Sequence, residues 1–288
     1  MSRAFMIDRK ARNASQPKPR KVFVTGAAGR IGAYFAEHAA EQHELTLLDL
    51  PDADMSHVEQ FGKVVRADLA DLDKLKQAMA GADTVLHLAA GPSPSVTWDT
   101  VIQTNITGTY NVFVAARAAG CRRVVFASSI HAVSAYPVGV QIKPDDPVNP
   151  GDLYGVSKCF GEAMGRYMAT QQDLSVIAIR IGAFQPIEAA RDPDKIGMMN
   201  TFVSWRDLNQ LIHRCIDDES IRYAIVHGLS NNVFNQMDIS ETRDMLGYEP
   251  EDDFSEENPS LRKLHLRDQV RSHSERGHDQ APGIRKEL

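Results

Sequence analysis

Cysteine is scarce. The chain has 3, Cys121, Cys159 and Cys215, too far apart to form a zinc motif. An odd, unclustered set suits a reducing compartment rather than a disulfide framework. Each reads as a small buried hydrophobe rather than a nucleophile. No apolar run approaches the ~18 residues needed to span a bilayer, and there is no signal-peptide core. Positive charge is not in excess either. The net charge is −6, so no overall basic field draws nucleic acid. No internal repeat is evident. These absences argue against a disulfide-stapled module, a membrane-spanning protein and a nucleic-acid binder, and no metal site is expected. What remains is a soluble, cytoplasmic chain whose partner is a small molecule. With 288 residues, 43% of them hydrophobic, it can bury the core of one domain with a small appendage.

Residues 1–20 are polar and basic, with Arg3, Arg9, Lys10, Arg12, Lys18 and Arg20 against Asp8. They read as a disordered leader; an Arg-rich, acid-poor transit segment is the sharper alternative. An apolar strand over 21–25 then runs into glycines at 26, 29 and 32, and Ile31, Phe35 and Ala39 repeat at helical spacing. A glycine turn between a strand and a helix lets backbone approach a pyrophosphate at the helix N-terminus. Gly26, Ala28, Gly29, Arg30, Ile31 and Gly32 are therefore cofactor candidates. Asp49 ends the next strand, about 20 residues further on, where a carboxylate accepts from ribose hydroxyls and repels an extra phosphate. That favours NAD over NADP, although Arg30 is a competing cation.

Further strands are expected over 64–69, 84–88, 121–128, 174–181 and 223–227. Helices are expected over 71–80, 96–119, 152–171 and 204–216. Strands alternating with helices define an α/β, doubly wound parallel sheet. The domain organisation reads as leader 1–20, dinucleotide-binding core 21–181, substrate cap 182–253 and polar tail 254–288. His87 lies inside an apolar strand and reads as structural. The aperiodic stretch 181–200 reads as a lid over the substrate.

Tyr154 and Lys158 are four residues apart, on one face of the helix over 152–171, with Asp152 as its cap. A fixed ammonium beside a phenol favours the phenolate, which can take a proton from a hydroxyl. Ser129 stands at the end of the strand over 121–128, and His131 follows it. A glycine-rich turn, then a strand-end serine, then Tyr-x-x-x-Lys, resembles the extended short-chain dehydrogenase/reductase family over about residues 21–253. Within it, residues 152–162, 126–129 with His131, and Arg180-Ile181-Gly182 resemble uronate dehydrogenases.

That resemblance implies NAD as cofactor and a doubly wound (Rossmann) fold with a small C-terminal substrate cap. It implies that Ser129, Tyr154, Lys158 and Asn105 are catalytic, with Asn105 bending its helix in a proton relay. Asp68 and Leu69 would bracket the adenine, and Leu88, Ala89 and Ala90 would line the cofactor, with Asn105, Tyr154 and Lys158 also contacting it. Ser93, Ser129 and His131 would face the substrate. The activity implied is oxidation of the anomeric hydroxyl of a sugar, a hexuronic acid, to a lactone by a homo-oligomer. Two departures stand out: Ile130 where those enzymes carry Asn, and Gly197 where they carry an Arg for the sugar carboxylate. Arg191 or Lys195 would then have to meet that carboxylate. The alternatives are a nucleotide-sugar epimerase or dehydratase, or a dinucleotide-sensing regulator without turnover.

Overall fold

A computed structural model describes residues 5–7, 19–91 and 96–264. Ten strands are described: β1 (Phe5–Ile7), β2 (Lys21–Thr25), β3 (Glu44–Asp49), β4 (Lys63–Arg66), β5 (Thr84–His87), β6 (Arg123–Ser129), β7 (Ser175–Ile181), β8 (Ala183–Gln185), β9 (Phe202–Ser204) and β10 (Ile221–Gly228). The helices are α1 (Arg30–Ala39), α2 (Leu72–Ala78), α3 (Trp98–Thr100), α4 (Thr109–Ala118), α5 (Leu153–Gln171), α6 (Trp205–Asp217), α7 (Ser240–Leu246), α8 (Phe254–Glu257) and α9 (Pro259–Arg262).

The main sheet has the order β1-β10-β7-β6-β5-β2-β3-β4. From β10 to β4 every pairing is parallel. Central strands such as β5 and β6 are buried along their whole length, because helices cover both faces. One face packs Val24, Leu47 and Ile179 with residues of α1 and α6. The other packs Phe23, Val124 and Val176 with residues of α2, α4 and α5. β2 lies between β3 and β5, so the chain winds outward through β3 and β4 and then crosses back. That reversal opens a crevice at the carboxyl ends of the strands. Gly26, Asp49, Leu88, Ser129 and Ile181 all stand at that edge.

Two expectations about the ends of the chain change. Phe5–Ile7, in the segment read as a disordered leader, pairs antiparallel with β10. Extended backbone can always satisfy an open sheet edge, whatever its side chains. Residues 254–262, in the segment read as a polar tail, form α8 and α9 and close the cap. Phe254 and Leu261 are buried against Ala190 and Phe202, and Asn258 Nδ2 donates to the carbonyls of Ala190 and Asp192, each at 3.0 Å. The stretch read as a lid is also more ordered than expected. It leaves β8, makes two short 3-10 turns over Ile187–Arg191 and Pro193–Met198, and returns as β9 parallel to β8.

Candidate active site

Two adjoining cavities lie along the carboxyl edge. The larger, about 650 Å³, is bordered by Ala28, Asp49, Asp68, Leu69 and Ala89, with Gln103 and Thr104 opposite. The smaller, about 380 Å³, is bordered by Arg30, Ile31 and Gly32 at one end and by Ser129, His131, Tyr154 and Lys158 at the other. Gly26, Gly29, Leu88 and Ala90 border both.

The turn between them has the shape a dinucleotide needs. Gly26 has φ +71°, and a Cβ there would lie 2.7 Å from the Ala89 nitrogen. A Cβ on Gly32 would lie 2.4 Å from the Gly26 carbonyl oxygen. Only glycine lets the α1 N-terminus come this close to the strand. Asp49 secures the turn as well as bordering the cavity: its Oδ2 accepts from Ala28 N (2.8 Å) and its Oδ1 from Leu50 N (2.9 Å). Arg30 borders the smaller cavity and Asp49 the larger.

At the other end, β6 finishes at Ser129 and a 3-10 turn begins. Ser129 Oγ accepts from His131 N (3.2 Å), and a hydrogen bond also joins its hydroxyl to the Tyr154 phenol. α5 starts here because Asp152 Oδ1 accepts from Gly155 N (2.7 Å). One turn on, Lys158 is 4% exposed, with Nζ 5.2 Å from the ring centres of both Phe126 and Tyr154. No carboxylate among the described residues pairs with it. Burial therefore pushes its ammonium down to about 7. Burial also pushes the Tyr154 phenol up to about 12, partly offset by the Ser129 bond. Burial is the largest cause at Tyr154, and Lys158 is not among the groups that shift its phenol, although the sequence led us to expect that Lys158 lowers it.

Asn105 is placed differently from expectation. It does interrupt its helix: Val101–Gly108 is π-helical between α3 and α4. Its side chain, however, is 2% exposed and borders neither cavity. Oδ1 accepts from Gly91 N (2.7 Å), while Nδ2 donates to Gly91 O (3.2 Å) and Ser157 Oγ (3.0 Å). Ser157 in turn donates to the Tyr154 carbonyl (2.7 Å). Asn105 thus supports the loop after β5 and the first turn of α5, and its neighbours Gln103 and Thr104 meet the cavity instead.

Arg191 and Lys195 also depart from expectation. Arg191 is exposed and pairs with Glu257 (2.9 Å); Lys195 pairs with Asp192 (3.8 Å). Neither borders either cavity. Ser93 lies outside the described residues. His87 is structural, between Thr25 Oγ1 (2.7 Å) and Thr109 Oγ1 (3.1 Å).

Sequence reasoning missed Gln185 and Phe184 on β8, which form the cap-side wall of the smaller cavity. It also missed the buried brace behind Ser129. Glu162 accepts from Arg180 Nε (2.8 Å) and Nη2 (2.9 Å) and from Ser128 Oγ (2.6 Å). The bidentate geometry holds α5 against the ends of β6 and β7. Among the described residues no cluster of His, Cys, Asp or Glu could hold a metal, and no helix is long and apolar enough to cross a membrane.

A doubly wound sheet, a glycine turn at its switch point and a Ser-Tyr-Lys set at the strand ends define a short-chain-type dinucleotide oxidoreductase. The profile of the NAD dependent epimerase/dehydratase family matches residues 22–185, and the chain belongs to that family. It is 35% identical over 251 residues to an NAD-dependent glucose-6-phosphate dehydrogenase of Haloferax volcanii, covering 82% of this chain and 94% of that protein. It is 35% identical over 233 residues to a uronate dehydrogenase of Agrobacterium fabrum, covering 81% and 85%. A crystal structure of a mutant uronate dehydrogenase from Agrobacterium tumefaciens complexed with NAD superposes with TM-score 0.74 at 32% identity, covering 88% of this chain and 91% of that one.

Proposed function

We propose that this protein is an NAD-dependent sugar dehydrogenase that oxidises the anomeric hydroxyl of an aldose to a lactone. The observation that carries this reading is the convergence of Ser129, Tyr154 and Lys158 in a cavity that shares Gly26 and Gly29 with the dinucleotide groove. Asp49, Asp68 and Leu69 would hold the adenosine half, the 26–32 turn the pyrophosphate, and Lys158 the ribose beside Tyr154. NAD, once bound, supplies the nicotinamide that accepts the hydride lost from the sugar carbon.

The chain's own residues handle the proton. Ser129 orients the substrate hydroxyl and donates toward the phenol oxygen. Tyr154 takes the hydroxyl proton. Lys158 stands with Nζ 5.2 Å from the centre of the Tyr154 ring, where its positive charge favours the phenolate.

The shape of the cap bears on the sugar. Arg191 and Lys195 are held by Glu257 and Asp192 outside the cavity, so an aldose without a carboxylate is the first reading. A hexuronic acid is the second, supported by the likeness to uronate dehydrogenases at 35% identity. NADH formation from glucose, galactose, L-arabinose, glucose 6-phosphate, glucuronate and galacturonate separates them. Turnover of neutral aldoses at least as efficient as that of uronates supports the first. No turnover of any aldose with NAD removes the proposal.

A further inference from the structure

One carboxylate joins the catalytic helix to the substrate side of the cavity. Asp152 Oδ1 caps α5, and Oδ2 lies 2.7 Å from His131 Nδ1. An ionised carboxylate only accepts, so the bond places the proton on Nδ1. In a neutral imidazole that leaves Nε2 with a bare lone pair. Nε2 has no partner among the described residues, and His131 borders the cavity. The ring stands edge-on to Tyr154, with centroids 5.4 Å apart and planes at 84°. The backbone beneath it is tied to Ser129 Oγ. The ring is therefore fixed in position and in tautomer, beside the oxygen-binding pair.

We infer that Asp152 is a positioning residue that holds His131 as a hydrogen-bond acceptor, so that the site selects a substrate carrying a hydroxyl beside the carbon being oxidised. The inference rests on the proposed anomeric oxidation, for which that hydroxyl is the one on C2. A C2 hydroxyl donates to Nε2. A 2-deoxy-2-fluoro sugar has nothing to donate and leaves the lone pair facing fluorine. A site built around one hydroxyl rejects analogues lacking it, because its own polar group is left unpaired.

D152N provides the test. Asn is as good a helix cap as Asp, so Oδ1 can still accept from Gly155 N. Its amide N–H₂ now meets His131 Nδ1 as a donor, which moves the ring proton to Nε2 and reverses the polarity presented to the substrate. The measurement is the ratio of kcat/KM for the parent aldose to that for its 2-deoxy-2-fluoro analogue. The intrinsic slowing by fluorine is common to both enzymes and cancels between them. We expect the ratio to fall by about tenfold or more in D152N, with thermal midpoint and NAD affinity unchanged. Nitrogen-15 NMR of histidine-labelled full-length protein should show protonated Nδ1 in the wild type and protonated Nε2 in D152N. An unchanged ratio, or an Nε2–H tautomer in the wild type, overturns the inference. If the wild type oxidises no aldose, the proposed function fails, while the NMR result still decides the tautomer.

Discussion

At the scale of single residues, Tyr154 is the sharpest test. Removing its hydroxyl deletes the proposed proton acceptor and almost no packing volume. Tyr154→Phe should lower kcat by about 10²–10⁴-fold while NAD affinity, measured by titration of intrinsic fluorescence, stays within about twofold. Half-retained turnover would remove Tyr154 from the chemistry. The same residue sets a pH dependence. A phenol pushed up to about 12 is protonated across the neutral range, so the reactive fraction grows as pH rises. Sugar oxidation should accelerate from about pH 7 toward pH 10, and a flat profile would mean that another group takes the proton. Under the proposed function, Asp49 selects the cofactor. It borders the larger cavity while Arg30 borders the smaller, so with adenosine in the larger cavity, as proposed, the extra phosphate of NADP would meet negative charge. Preference for NAD in kcat/KM should exceed about tenfold.

At the scale of elements, α5 depends on how closely it packs against β6. A Cβ on Gly161 would lie 2.1 Å from the Phe126 ring, and that ring lies beneath Lys158 Nζ. Ala is the better helix former by about 1 kcal/mol, but overpacking costs about 1–3 kcal/mol. Gly161→Ala should therefore destabilise the fold in urea titration; a stabilised variant would mean that the helix shifts freely. Legibility also divides by element. Periodicity puts Ser129 at a strand end and Tyr154 and Lys158 on one helix face, as the structure has them; the roles expected of them came from the resemblance to short-chain dehydrogenases. Arg191 and Lys195 could not be placed, because charge near an aperiodic stretch does not say which side of the cap it faces. Gln185 was hidden because β8 is too short to show an alternation. Asn105 marked the bend in its helix, but the sequence does not reveal that its amide is spent on Gly91 and Ser157. The closing helices left a faint signal. Asp253 and Asn258 each precede a short helix as its cap, with Phe254 and Leu261 as the apolar residues between and after.

At the scale of the whole molecule, buried neutral histidines tie stability to acidity. Burial pushes His87 and His227 down to about 3 and His213 down to about 4. Each takes up a proton on unfolding wherever the pH lies between these values and the unfolded value near 6.5. Their contribution is therefore complete above pH ~6.5 and is lost as pH falls below it, by about 1.4 kcal/mol per pH unit for each. Urea midpoints should drop steeply between about pH 6.5 and 5, and His213→Gln should flatten that slope. The cap has its own anchor. Phe254 is fully buried against Phe202, so Phe254→Ala should cost about 3–5 kcal/mol in urea titration. A loss under 1 kcal/mol would show that α8 contributes little. The order of the strands has a further consequence, for synthesis. Of the described strands β1 is made earliest, yet among the described residues its one partner is β10. At ribosomal speeds of about 5–20 residues per second, roughly 10–40 s separate Ile7 from Ile221. Throughout that interval the first strand has no native neighbour, while the nucleotide half through Ile181 can already assemble. Chaperone engagement of the nascent chain should accordingly outlast formation of the NAD groove and end only when the last strand of the sheet emerges.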